Sequence, residues 1–387
     1  MSPDAKSSPN LPSLTGVRGV AALWVLVFHV HLIADVLGWP GIASLPVIRT
    51  GWAGVDMFFV LSGFILMLVH ERDFQGFDLP PLLRFAWLRF FRVYPLATVV
   101  LLMLLALALL DREFAAFWTV GAWPRNFTVS AFFRTLFLAT RWWAPPDGDW
   151  NQPEWSLSVE ILGYVAFPML AVMATRLSNR TVLIGLAAIC LVFPTVVAFL
   201  YKGKLYNDDL FWGAGIRMAG AFTGGVVLAR LHKLTPAGFR VTQGQIADAA
   251  LVTILALLLL PPYGYGLLTL AFGALVYGLA SDQGTANRLF ASPLAFWLGR
   301  ISFPLYLIHV MALSWLQYEL NLSTASFIEK VAAAGFMLTL IFCTAWLLHL
   351  LVETPTHRFA RRFASKATFA MSGLGDPVAQ QDRAQDS

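Results

Sequence analysis

LTGVRGVAALWVLVFHVHLIADVL, from Leu14 to Leu37, is an apolar run of membrane-spanning length that opens on an arginine and carries a histidine near its middle. About 20 apolar residues take a helix across a bilayer. An ionisable side chain held in hydrocarbon needs a partner or a cavity, and so marks a candidate functional site. Arg18 and His29 lie eleven residues apart, about 1100° of helical rotation, which puts them on one face roughly 16 Å apart along the axis. A cation at one membrane edge and a base near mid-bilayer suit a long, thin, anionic ligand. The structural alternative is a histidine bonded to a neighbouring helix and an arginine anchored in lipid headgroups.

The rest of the chain is of the same kind. Of its 387 residues 58% are hydrophobic and 13% charged, and a mean hydropathy of +0.68 excludes an ordinary soluble domain. The expected fold is an all-α polytopic bundle with about ten transmembrane helices, near 16–37, 53–70, 93–110, 158–175, 181–200, 210–229, 246–260, 264–280, 298–318 and 328–351. The seventh and eighth runs are short, and Pro261 to Gly264 between them make a tight hairpin or a re-entrant pair an alternative. With both termini cytoplasmic, the inner segments carry eighteen Lys and Arg against eight outside, and Arg217 lies within a span. This juxtamembrane bias accounts for the net charge of +5 without nucleic acid. Residues 1–13 read as a cytoplasmic tail, 14–360 as the membrane domain and 361–387 as a disordered cytoplasmic tail; the first span has no evident cleavage site. Cys190 and Cys343 give neither a disulfide framework nor a metal motif, and no metal is expected.

Polar residues interrupt the apolar sequence in five further places. Asp56 lies a turn inside the second span, beside Ser62; Glu154, Trp155 and Glu160 open the fourth; Arg217 lies in the sixth. Arg89 and Arg92 sit one turn apart before the third, and His309 lies in the ninth. By depth, His29, Asp56, Glu160 and Arg217 are expected to meet in the outer half of the membrane, and Arg18, Arg89 and Arg92, with Arg84 and Arg300 beside them, at the inner face. Paired guanidinium groups suit bidentate phosphate binding, or else anchor the span in the positive-inside pattern. An Asp56–Arg217 ion pair is the structural reading of those two residues, and helix packing that of His309.

In order along the chain, these segments resemble the acyltransferase family 3 integral membrane proteins. LTGVRGVAALWVLVFH at 14–29 is similar to the family's L-D-G-x-R-G-x-A-A-x-x-V-x-x-x-H, and GWAGVDMFFVLSGFIL at 51–66 to G-x-x-G-V-D-x-F-F-x-L-S-G-F. RFFRVYP at 89–95 resembles R-x-x-R-x-x-P, WSLSVEILGYVAFP at 155–168 resembles W-S-L-x-x-E-x-x-x-Y, and LGRISFPLYLIH at 298–309 resembles L-G-x-I-S-Y-x-x-Y-x-x-H. Glu353 and Pro355 are similar to the closing E-x-P. Thr15 departs from the usual Asp, and is expected to take over its helix-capping place.

The resemblance implies an inner-membrane enzyme that moves an acyl group, acetyl or larger, from cytoplasmic acyl-CoA to a hydroxyl of an exported carbohydrate or lipid-linked sugar. The stand-alone form of the family is expected, without an appended hydrolase-like domain. Arg18, Arg89 and Arg92 are then expected to grip CoA phosphates and His29 to act as general base. Asp56, favoured because its span follows directly, or Glu160 would orient the imidazole. A ping-pong route through acyl-histidine is equally compatible. Arg217, Ser62 and Trp155 are candidates for oxyanion stabilisation, with His309 as a further substrate contact. The competing readings are an acyltransferase for a small diffusible acceptor, such as an antibiotic glycoside, and a transporter using the same buried charges.

Overall fold

The computed structural model describes residues 11–34, 37, 39–111, 113, 127–142, 148–203, 212–260, 265–319 and 325–371, and among these the regular structure is helical. The long helices are α1 (Pro12–His29), α2 (Gly54–His70), α3 (Leu79–Leu110), α4 (Glu154–Thr175), α5 (Arg180–Lys202), α6 (Trp212–Leu234), α7 (Arg240–Leu258), α8 (Tyr265–Leu279), α9 (Pro293–Glu319) and α10 (Phe327–Leu348). A five-residue π-helical turn, His349–Glu353, joins α10 to α11 (Thr354–Met371). The N-terminal tail through Asn10, the Pro261–Gly264 connection and the tail beyond Met371 lie outside the described residues. α11 itself runs past the boundary placed at 360.

Each of the ten apolar runs overlaps one of the long helices α1 to α10. Among the described residues eight stretches are long and apolar enough to cross a membrane; α6 and α8 are not among them, α8 contributing only the shorter apolar segment Gly266–Leu279. α8 falls short by length, at 15 residues. α6 is buried on most of its surface, including Arg217, and so needs no lipid-facing apolar coat. α3 starts well before its apolar run because Pro80 and Pro81 suit a first helical turn, where no N–H partner is needed. Arg84, Arg89 and Arg92 therefore ride on the same helix as the span. Thr15 does not cap α1: the N-cap is Leu11, and Thr15 lies inside the first turn.

Two glycine contacts set the registers that matter for the site. A Cβ on Gly19 would overlap the backbone nitrogen of Gly299, and one on Gly299 would overlap the Thr15 carbonyl, so α1 and α9 touch backbone to backbone. A Cβ on Gly63 would likewise strike the Phe222 carbonyl, and one on Gly225 the Val60 carbonyl, which seats α2 on α6. The core beside these contacts is aromatic: Phe74, Phe167 and Phe222 are almost wholly buried, and Phe85 stacks on Phe167 with centroids 5.2 Å apart.

Candidate active site

Because α1 and α9 are in such close contact, polar side chains of one reach the other twice. Near the Gly19–Gly299 crossing, Arg18 donates from Nε to Ser302 Oγ (2.9 Å) and from Nη2 to the Gly299 carbonyl (2.7 Å). Some three turns along α1, His29 meets His309, with 3.1 Å between His29 Nδ1 and His309 Nε2. Both rings are at least nine-tenths buried.

Backbone carbonyls fix the tautomers of this pair. A carbonyl only accepts, so His309 Nδ1, 2.7 Å from the Tyr306 carbonyl, carries a proton. In a neutral ring His309 Nε2 is then an acceptor, and His29 Nδ1 donates to it. The Val25 carbonyl, 2.9 Å from His29 Nδ1, requires the same proton position. His29 Nε2 is thereby left with its lone pair free, the state a general base needs.

Arg18 also faces a cavity of about 140 Å³ that it shares with Arg89 and Arg92 of α3, Ser62 of α2, Glu160 and Tyr164 of α4 and Tyr306 of α9. Glu160 Oε1 accepts from Ser62 Oγ (2.6 Å) and Tyr164 Oη (2.9 Å). Arg92 is paired with Glu353 of the π-turn, which also accepts from His349 Nδ1 (2.8 Å). Arg89 stands over the Phe85 ring at 5.7 Å, and its buried Nε has no hydrogen-bond partner. An orphaned buried donor of this kind asks for a ligand or water.

Tyr306, which lines the cavity, links it to the histidines. Its hydroxyl donates to the Pro153 carbonyl (3.0 Å) and contacts Ser156 Oγ (2.7 Å), while its own carbonyl holds His309. The arginine cavity and the histidine pair are thus neighbours on either side of one residue.

Several expectations are corrected by this arrangement. Asp56 does not orient His29. Its carboxylate accepts from Arg217 Nε at 2.8 Å, and the guanidinium lies between the rings of Trp52 and Trp155 at 5.2 and 5.4 Å. Asp56 lies in the first turn of α2, and the α2–α6 glycine contacts turn it towards Arg217. Glu160 does not join His29 either, because it lies nearly two turns into α4, level with the arginines. Arg217 lies against Asp56 and Trp155, with its Nη2 buried and unpartnered, and Ser62 donates to Glu160, so none of the three is bonded to the histidines. Arg84 and Arg300 stay apart from the cavity, near Asp73 (3.5 Å) and His349 (3.5 Å). Arg18, Arg89 and Arg92 do come together.

Glu353, Tyr164 and Tyr306 were given no task from sequence. The signal for all three was their place in the motifs: Glu353 opens the closing E-x-P, Tyr164 ends the motif that carries Glu160, and Tyr306 stands three residues before His309 in the motif at 298–309.

Partly buried arginines around a slot, next to a neutral histidine with a free nitrogen, define an intramembrane site equipped for anion binding and proton transfer. The chain belongs to the acyltransferase 3 family, whose acyltransferase-domain model matches residues 11–350. It is 29% identical to the acyltransferase MdmB of Streptomyces mycarofaciens over 93% of this chain and 95% of that protein. A putative O-acetyltransferase of Staphylococcus aureus strain COL is 22% identical over 90% of this chain and 58% of its own length. The peptidoglycan O-acetyltransferase OatA of Listeria monocytogenes is 24% identical over 78% of this chain and 49% of that protein. No solved structure matches the chain. The protein is therefore a multi-pass membrane acyltransferase by family.

Proposed function

We propose that this protein is an O-acyltransferase of the plasma membrane, taking an acyl group from acyl-CoA on the cytoplasmic side and placing it on a hydroxyl of an exported or lipid-linked carbohydrate. The observation that carries the reading is the adjacency of the arginine cavity and the histidine pair across Tyr306.

Arg18, Arg89 and Arg92 would bind the phosphates of the donor at the cavity mouth, where the free Nε of Arg89 has a bond to offer. At about 140 Å³ the slot is of the order of a cavity that takes one benzene-sized group. It fits a short acyl thioester and excludes the nucleotide, which favours acetyl over long chains. His29 Nε2 would take the proton of the acceptor hydroxyl as its oxygen attacks the thioester carbonyl. The C–O bond forms, the C–S bond breaks, and the proton passes from His29 to the departing thiolate. His309 and the Val25 carbonyl hold Nδ1–H throughout, so the imidazolium that forms is met by two acceptors without a carboxylate. His309 is accordingly a positioning residue, not a substrate contact.

The carbohydrate acceptor is supported by the likeness to a protein named as a peptidoglycan O-acetyltransferase. Acyl release from radiolabelled acetyl-CoA, by purified protein with and without cell-envelope glycans, tests the reading. Release that depends on the glycans is expected; CoA binding without release under any acceptor would argue for a different acyl chain or a small acceptor, and absence of CoA binding would favour a transporter.

A further inference from the structure

Apart from the arginine cavity, the bundle holds a larger one, of about 330 Å³, between α5, α6, α7 and α8. The two share no lining residue. Its walls are apolar, with Ala187, Leu191, Leu228 and Ala274 among them, and Ile184, Phe239 and Ile246 on its rim are exposed. In a membrane protein such a rim faces hydrocarbon, so the cavity opens sideways to lipid rather than to water.

Two polar groups enter it with bonds to spare. Arg180, the first residue of α5, lies over the Phe239 ring at 5.3 Å, and its Nε is buried without a partner. Gln243 is 2% exposed; its amide nitrogen is 2.7 Å from both the Tyr277 carbonyl and His232 Nδ1, but its Oε1 is buried with no donor. Two other cations at this end of the bundle are neutralised: Glu71 takes both Arg230 (2.7 Å) and Lys233 (2.5 Å). No carboxylate among the described residues pairs with Arg180. A spare guanidinium donor and a spare amide acceptor thus share one apolar slot that is open to the bilayer.

We propose that this cavity binds an anionic phospholipid of the inner leaflet, of the phosphatidylglycerol type. Its phosphate would pair with Arg180, a headgroup hydroxyl would donate to Gln243 Oε1, and an acyl chain would lie along Leu191 and Leu228. Charge complementarity selects the anionic lipid, since the positive-inside bias places this end at the anionic cytoplasmic leaflet. This site stands independently of the proposed chemistry.

The test is native mass spectrometry of the delipidated full-length protein in detergent, titrated with phosphatidylglycerol or phosphatidylcholine. Wild type should retain phosphatidylglycerol about fivefold better, the effect of one cation at an anionic headgroup. Arg180→Gln should erase that preference, and Ala188→Phe, which fills the slot, should lower retention of both lipids. Phosphatidylglycerol should also raise the melting temperature of wild type more than that of Arg180→Gln, a readout that stands if Ala188→Phe does not fold. An unchanged lipid preference in Arg180→Gln would overturn the proposal.

Discussion

The arginine cavity and the histidine pair sit side by side but are built on opposite principles. The cavity collects long charged side chains from α1, α3 and α4 and compensates them only in part: Arg92 has Glu353, Arg18 has a serine and a carbonyl, and Arg89 keeps a bare Nε. The histidine pair carries no formal charge in its resting state and is set by two backbone carbonyls. Incomplete compensation suits a place that receives an anion from outside. A neutral, carbonyl-held imidazole suits a place that must accept a proton without first giving up a carboxylate partner. The buried carboxylates Asp56 and Glu353 stand with arginines, where desolvated charge has to be balanced.

The division can be broken at either region. His29→Ala should lower kcat by about 10²–10⁴-fold, the usual worth of a positioned general base, with CoA binding and folding retained; turnover of acetyl-CoA against an intact size-exclusion profile is the measurement. Asp56→Asn should act on stability instead. Removing one partner of a buried pair costs about 3–5 kcal/mol, whereas a double Asp56→Leu/Arg217→Met variant should regain most of the melting temperature. A double variant no better than Asp56→Asn would mean that the pair does more than hold α2 on α6.

Smaller effects sharpen the boundary between the regions. Arg89→Ala should raise the KM for acetyl-CoA about 10- to 100-fold with kcat little changed, because a charge-assisted hydrogen bond is worth about 1.5–3 kcal/mol. His309→Ala should lower kcat by about tenfold and leave KM unchanged, since the Val25 carbonyl still holds the His29 tautomer and only one hydrogen bond is lost. Steady-state kinetics on both variants read the difference, and a KM effect in His309→Ala would place that residue against the donor.

The class of fold and the arginine group were legible in the sequence because they follow from local quantities. Apolar run length gives helices, and the shared face of Arg18 and His29 follows from helical rotation alone. Partnerships between helices were not legible. Which carboxylate meets which cation depends on relative helix rotation, and that is set by backbone contacts such as Gly19 on Gly299 and Gly63 on Phe222. Depth estimates put Asp56, Glu160, Arg217 and His29 at one level, yet Glu160 lies with the inner arginines, and for the others a level does not specify a face. His309 shows the same limit, since a histidine that packs a helix and one that fixes the tautomer of a second histidine look alike until the second ring is in place. Glu353 was hidden differently: the π-turn turns a carboxylate at the end of an apolar run back onto Arg92.

The most direct measurement compares His29→Ala and Arg89→Ala side by side, taking acetyl-CoA affinity by calorimetry and single-turnover acyl transfer on the same preparations. Wild-type donor affinity with abolished transfer in His29→Ala, and weakened affinity with transfer recovered at saturating donor in Arg89→Ala, are the expected results. Loss of donor binding in His29→Ala, or undiminished transfer by it, would contradict the separation of anion binding from proton transfer.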